Sequence, residues 1–377
     1  MQKRLKIINL FPQKDGCNYV RHDIPFTALQ KRDHFVQMKF PIHRSDFNIA
    51  VMSRAIHKDL VETFVKMKMV GMRIVYDTDD LLFALEPDNP YYSDGISAAA
   101  LALTKHCMPL IDLVTTSTDP LAKEFEKYTL APIQTLPNCV RPSDWNLRDK
   151  GHAGTIRIGY AGACSHHREL NFIIPIIADL QRTMPDYKIE FHIFGIFNSL
   201  ELLESQSNMK LDTPAVWQDL MKETLALLKT VDYIHHDYVP TAQYPEKLRQ
   251  LDLDIGLCPL FSSRFNDCKS AIKFYEYAMV GTAPLCSDAL PYHDCLNRTA
   301  MDANLWKANL QVMISDADYR NKIAEESRNY VMENHTIEKN VTLWEETFQE
   351  LLEPKKKLIL REDEIPRILQ GAGHAFK

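Results

Sequence analysis

Lys269, Lys273 and Glu276 stand four and then three residues apart in FNDCKSAIKFYEYAMVGTAPLCSD, residues 265–288. On a helix that spacing gathers two cations and one acid on one face, with Phe274, Tyr277 and Ala278 on the packed side. Two ammonium groups suit a diphosphate, and a carboxylate beside them suits the paired hydroxyls of a ribose. The competing reading is a surface Lys–Glu pair worth roughly a few tenths of a kcal/mol. Which one holds depends on where the surrounding elements put these residues.

Three other stretches carry residue types fit for chemistry. IVYDTDDLLF (74–83) sets Asp77, Asp79 and Asp80 at the end of an expected strand. Like-charge repulsion makes such a cluster costly unless something uses it, so Asp77 and Asp79 are candidate catalytic carboxylates. Three uses stay open: a general base, hydrogen bonds to sugar hydroxyls, or a helix cap. A metal site ranks behind them, because nothing nearby in sequence completes a ligand set. In IGYAGACSHHREL (158–170) a strand ends at Gly162 and a helix opens near His166. Small residues admit a phosphate, and the helix start and Arg168 supply positive potential. The pair His166–His167 reads as one exposed and one partly buried ring rather than a metal site. The stretch is a poor dinucleotide fingerprint, since the third glycine and the ribose acid are missing. In FPQKDGCNYVRHDIPF (11–26), Gly16 lets a loop pass close to a ligand and Arg21 could hold an anionic or polyhydroxyl group. An ordinary strand-to-helix turn explains that stretch equally well.

All four stretches follow expected strands, which is where open parallel sheets bind ligands. Short apolar runs predict strands at 5–11, 47–53, 72–78, 112–118 and 133–137, and again at 156–162, 187–195, 232–239, 253–260 and 282–287. Amphipathic segments between them, such as HKDLVETFVKMKMVG ending at Gly71 and HRELNFIIPIIADLQRTM, predict covering helices. NCVRPSDWNLRDKGHAGT (138–155) interrupts the alternation with proline, glycine and charge, and reads as a connection between domains. The expected organisation is 1–150 as a first Rossmann-like, acceptor domain and 151–335 as a second, donor domain. A helix over 336–353 is expected to cross back to the first, and 354–377 to form a tail.

The chain has 377 residues, too many for one comfortable core. Its formal net charge is −6, with no dominant basic run, so nothing points to non-specific nucleic-acid binding. The eight cysteines are scattered without a Cys-x-x-Cys, and read as reduced thiols of a cytoplasmic protein. The start, MQKRLKIINLF, is too short in its apolar part for a secretion signal or a membrane span. The Asn-x-Thr matches at Asn297, Asn334 and Asn340 are then chance occurrences.

Three pieces resemble the two-Rossmann (GT-B) glycosyltransferases of the large group 1, family 4-like superfamily. TLPNCVRPSDW is similar to the Leu/Ile-Pro-Asn-Gly-Val-Asp segment that closes the first domain. IRIGYAGACSHHREL is similar to the glycine strand and basic helix start that open the second. FNDCKSAIKFYEYAMVGTAPLCSD is similar to the donor-binding helix, Lys-x-x-Glu-x-x-Ala-x-Gly-x-Pro-Val, and is the most specific of the three. The likeness runs through most of residues 1–350. It implies an α/β fold of two doubly wound, Rossmann-like domains facing across a cleft, with C-terminal helices. It also implies a hexosyl- or pentosyltransferase using a nucleoside-diphosphate sugar, with a UDP-sugar favoured, no permanent cofactor and no metal. Carried over, Glu276 would bind the donor ribose, and Lys269, Ser270 and Lys273 would lie near the diphosphate or sugar. Arg168 would neutralise the departing diphosphate, and Gly16, Gly162, Ser165 and His166 would line the donor. Arg21 and Asp80 would face the acceptor. The chain departs from the family's Glu-x7-Glu pair: Cys268 stands where the first Glu belongs, with Asn266 and Asp267 as the nearest substitutes.

The expected acceptor is the hydroxyl of a surface glycan or glycolipid, reached from the cytoplasm or at the inner membrane face. Two alternatives stay open: a phage-type DNA glycosyltransferase acting on hydroxymethylated bases, and a nucleotide-sugar-binding module without catalysis.

Overall fold

The computed structural model describes residues 4–10, 15–38, 46–53, 58–89, 106–150, 154–196 and 215–353. The expected tail, 354–377, and the first three residues lie outside these.

Two parallel six-stranded sheets form the scaffold. In the first, β1 (Lys6–Asn9), β2 (Phe35–Gln37), β3 (Ile49–Ser53), β4 (Arg73–Thr78), β5 (Leu113–Thr116) and β6 (Ile133–Thr135) lie in the order β2-β1-β3-β4-β5-β6. In the second, β7 (Thr155–Ala161), β8 (Lys188–Phe194), β9 (Tyr233–His236), β10 (Ile255–Cys258), β11 (Ala283–Ser287) and β12 (Arg298–Thr299) run β12-β11-β10-β7-β8-β9. Counted from β7, this is the 3-2-1-4-5-6 order of a dinucleotide-binding sheet. The inner strands β3, β10 and β11 are nearly continuous apolar runs, as strands covered on both faces are: Ile49, Ala50, Val51 and Met52 are all buried. The edge strands β2 and β12 were not expected from sequence, being too short for any hydrophobic period to show.

The chain order reverses between β1 and β3 in the first sheet and between β7 and β10 in the second. These switch points open a crevice at the carboxyl ends of the strands. The loops carrying Gly16 and Gly162 leave β1 and β7 there.

One close approach fixes the wall of the crevice on the side of the second sheet. Gly159 on β7 and Gly256 on β10 are register partners. A Cβ on Gly256 would lie 2.4 Å from Cγ of Tyr277, so only glycine admits this ring against the strand. The Tyr277 hydroxyl then donates to the Gly159 carbonyl at 3.2 Å and accepts from the Ala161 amide at 2.7 Å. Tyr277 belongs to the helix Ile272–Met279, which is thereby pinned to the end of β7.

The connecting chain and the helix Ile337–Leu352 both tie the two halves together. Val140 and Thr336 form a parallel bridge, so the outgoing connection and the returning chain run side by side. The helix Ile337–Leu352 then inserts Ile337, Val341, Trp344 and Phe348 among Leu5, Ile7, Ile24 and Phe26 of the first domain.

Candidate active site

Gly162 follows β7 and lies under the Ile272–Met279 helix. A Cβ built on it would sit 3.6 Å from Cδ2 of His166 and 3.7 Å from Nζ of Lys273. The Lys273 ammonium rests over the Tyr160 ring, 4.5 Å from its centroid. Burial pulls its pKa below the ordinary lysine value, while Glu169 and Glu276 hold it up. One turn on, burial pushes the Glu276 carboxyl up to about 7, against the Tyr244 hydroxyl and the Lys273 charge, which favour the ionised form. Tyr244 donates to Oε2 of Glu276 at 3.0 Å. Its ring is stacked on Phe194 at 5.3 Å and lies perpendicular to Trp145 at 6.4 Å.

The helix His167–Thr183 opens beside this cluster. Burial and the charges of Lys269 and Lys273 bring His166 down to about 4, so it is neutral at pH 7. Burial opposes the charge on Glu169, but the His166 ring 3.5 Å away and Lys269 hold its carboxyl down to about 2. His166 is partly and His167 fully buried, so neither ring is the exposed one expected. Ser165 is half-buried on the same loop. The Arg168 guanidinium stacks on Phe261 at 4.3 Å and faces Asp88 of the other domain at 3.7 Å.

Lys269 does not share the helix with Lys273, as its spacing predicted. The turn Asn266–Cys268 ends in an extended backbone at Lys269 (ψ 161°), and the helix begins only at Ile272. Lys269 instead reaches the cluster from the loop, its ammonium 4.9 Å from the Phe265 ring centroid. Cys268, at the position of the missing family Glu, is 2 % exposed and packs with Phe265 into the core of the first domain beside Leu121 and Phe125. Asp267 accepts from Ser262 at 3.0 Å, and Asn266 donates to the Phe261 carbonyl at 3.0 Å.

Across the crevice, Gly16 is exposed, and a Cβ there would meet nothing within 4 Å. Asp15 caps the turn Gly16–Asn18, which passes through a π-helical Tyr19–Asp23 into the helix Ile24–Gln30. Arg21 lies on the π-helical part and points inward. Its Nη2 and Nε donate to Asp77 at 2.6 and 3.1 Å, and its Nη1 to the Leu136 carbonyl at 2.5 Å and to Oδ1 of Asn138 at 3.0 Å. Thr115 donates to the same carboxylate at 2.6 Å. Arg21 and Asp77 are 2 % and 1 % exposed. Burial works against the Asp77 charge, but Arg21 and His22 hold the carboxyl well below its usual range. This closed ion pair corrects two expectations, the reactive carboxylate at Asp77 and the ligand-facing guanidinium at Arg21. Asp79 and Asp80 remain half-buried at the crevice, and Cys17 supplies the third group that the sequence did not reveal: their ligating atoms lie within 4.8 Å of one another.

The domains meet around this site. Thr118 donates to the Cys268 carbonyl at 2.7 Å, Asn138 donates to Oγ of Ser270 at 2.8 Å, and Arg264 donates to Glu124 at 2.6 Å. Burial raises the Asp88 carboxyl, against Arg168 and Lys269. Sequence reading missed Cys17, Asp88, Thr118, Asn138, Glu169 and Tyr244 as members of the site. Of these only Asn138 left a signal, inside the LPNCV segment.

A separate cavity of about 680 Å³, lined by Arg73, Leu113 and Ile133, opens at the amino ends of β4–β6, opposite the crevice. Among the described residues no helix is long and apolar enough to cross a membrane.

No protein-family model matches the chain and no curated protein matches its sequence. Solved structures match its fold. An alpha-glucosyltransferase in complex with UDP and a 13-mer DNA containing a HMU base matches over 93% of this chain and 100% of its own, with a TM-score of 0.60 at 12% identity. A glycosyltransferase from Rickettsia africae ESF-5 matches over the same shares with a TM-score of 0.58 at 9% identity. The pneumococcal O-GlcNAc transferase GtfA, in complex with UDP and GlcNAc, matches over 81% of this chain with a TM-score of 0.52 at 11% identity. The chain spans 57% of the length of GtfA.

Proposed function

We propose, from the GT-B fold that this chain has in common with those transferases, that it moves a sugar from a nucleoside-diphosphate sugar to a hydroxyl acceptor. The carrying observation is the grouping of Gly162, Lys273 and Glu276 at the switch point of the second sheet. Cations close to a glycine backbone fit a diphosphate, and the Glu276 carboxyl one turn away fits a ribose diol. The UDP in the two structures named above supports a uridine-linked donor.

Transfer breaks the bond between the anomeric carbon and the phosphate oxygen, and forms one from that carbon to the acceptor oxygen. Negative charge develops on the leaving diphosphate. Lys273, buried over the Tyr160 ring, stabilises it where little water intervenes and electrostatic stabilisation is strongest, and Lys269 and the half-exposed Arg168 add positive charge from the loop and the rim. Ser165, His166 and Ser270 line the donor, His166 as a neutral ring. Gly16 leaves room beneath the donor phosphates, and Asp79 and Asp80 face the acceptor, one of them placed to take the hydroxyl proton. In this mechanism the cations replace a metal. The acceptor is a glycan or glycolipid hydroxyl, and the protein works in the cytoplasm or at the inner membrane face. The full-length match to the DNA-bound alpha-glucosyltransferase favours a second reading, a hydroxymethylated base in DNA.

The test is to incubate purified protein with a panel of nucleotide sugars and follow nucleotide release and thermal midpoint. UDP or a UDP-sugar should raise the midpoint. Lys273→Ala and Glu276→Ala should abolish release while the protein stays folded, which separates an enzyme from a binding module. A chain that responds to no nucleotide or nucleotide sugar overturns the proposal.

A further inference from the structure

The loop 268–270 leads into the donor helix, yet its two polar anchors come from the other domain. Thr118, the cap of the helix Asp119–Phe125, accepts from the Leu121 amide at 3.3 Å and donates its own proton to the Cys268 carbonyl at 2.7 Å. Asn138 makes the second anchor, and its orientation follows from the Arg21 side. A guanidinium has only donors, so the Asn138 carbonyl faces Arg21 Nη1 at 3.0 Å and its amide nitrogen faces Ser270 Oγ at 2.8 Å. Ser270 therefore accepts at this contact, and its own proton is left to donate elsewhere. Lys269 lies between the two anchors, with Phe265 and Cys268 of the same loop seated in the core of the first domain.

We infer that Thr118 and Asn138 are positioning residues of the donor site, holding Lys269 and Ser270 in place for the diphosphate from across the domain boundary. This rests on the transferase reading. The buried pair Arg21–Asp77 is the fixed base of this arrangement: Asp77 clamps Arg21, Arg21 turns Asn138, and Asn138 turns Ser270. Each step is a hydrogen bond of 3.1 Å or less. The loop owes both anchors to the other domain, so binding of the diphosphate and the contact between the domains reinforce one another.

Asn138→Asp preserves shape and the contact to Arg21, but offers Ser270 an acceptor where it had a donor. The Ser270 proton then turns toward the new carboxylate and away from the ligand. Calorimetry with UDP and with uridine reads the consequence. Asn138→Asp and Ser270→Ala should each weaken UDP by roughly 10-fold, the scale of one hydrogen bond to a charged group, and leave uridine unchanged. The double variant should be no weaker than Ser270→Ala alone, because both remove the same contact. Thr118→Val should also weaken UDP, with Thr118→Ser restoring it, and this pair decides the matter if Asn138→Asp does not fold. UDP binding unaffected by Asn138→Asp or Thr118→Val, or additive losses in the double variant, overturns this inference alone. A wild-type chain that binds no nucleotide overturns the transferase reading and this inference with it.

Discussion

Tyr244 donates its hydroxyl to Glu276 across 3.0 Å, and the ring that carries this hydroxyl is held by Phe194 stacked on its face and by Trp145 in a perpendicular contact. The bond occupies one carboxylate oxygen and leaves the other to a ligand. It also opposes the burial that pushes the Glu276 carboxyl up to about 7.

Donor binding should therefore depend on pH near neutrality. A ribose diol donates to a carboxylate, so UDP should bind more tightly as pH rises through about 7 and Glu276 loses its proton. Tyr244→Phe removes a bond that favours the charged form and should move this transition to higher pH. Calorimetric titration of UDP from pH 6 to 9 checks both, and Glu276→Gln should flatten the profile. For stability the sign is opposite. A raised carboxyl contributes fully below the unfolded value of 4.5, and its contribution is lost as pH rises through about 7.

Arg21→Ala should act on stability rather than on chemistry alone. It strands the buried Asp77 carboxylate, a change that costs about 3–5 kcal/mol when one partner of a buried pair is removed. Chemical denaturation measures it; a variant of wild-type stability would show that Asp77 is not held as described. Because its pairing holds Asp77 well below 3.8, the contribution is full above that pH and fades as pH falls below it.

Arg168→Ala should lower kcat by roughly 100-fold or more, as loss of one preorganised charge at a developing anion does, while the fold is kept because the side chain is half exposed, stacked on Phe261 and paired only loosely to Asp88. Steady-state kinetics at saturating donor would show it. A change in KM alone would assign Arg168 to binding.

Transfer should survive EDTA in purified protein. Loss of activity, restored by a divalent ion, would assign Asp79, Asp80 and Cys17 to a metal instead of to the acceptor. Asp79→Asn measured with and without the ion would then separate the two roles.

The alternating scaffold was legible because strands buried on both faces must be apolar runs, and helices between them must be amphipathic. β2 and β12 were illegible because three and two residues carry no period, and each owes its place to the neighbour it pairs with. Lys273 and Glu276 were readable from local spacing, since one helix carries both. Lys269 was not, because the break at Cys268–Lys269 is made by contacts to Thr118, 150 residues earlier. Asp77 illustrates the same limit. A carboxylate at a strand end looks reactive until Arg21, 56 positions before it, is seen to fold inward against it. Tyr244 and Asp88 gave no signal, because a tyrosine opening a helix or an acid in a turn gains its meaning only from the residue it faces.

The helix Ile337–Leu352 supplies Trp344 and Phe348 to the core built around Leu5, Ile7 and Phe26. During synthesis the first sheet thus emerges with part of its hydrophobic surface bare, and waits for more than 200 intervening residues before the covering helix leaves the ribosome. The core of the second domain, by contrast, is built from residues between Ile158 and Ala324, all of them made before that helix. The half of the molecule that is made first is thus the half whose core is completed by a late-made helix, and a chain cut before Trp344 should leave that apolar surface uncovered.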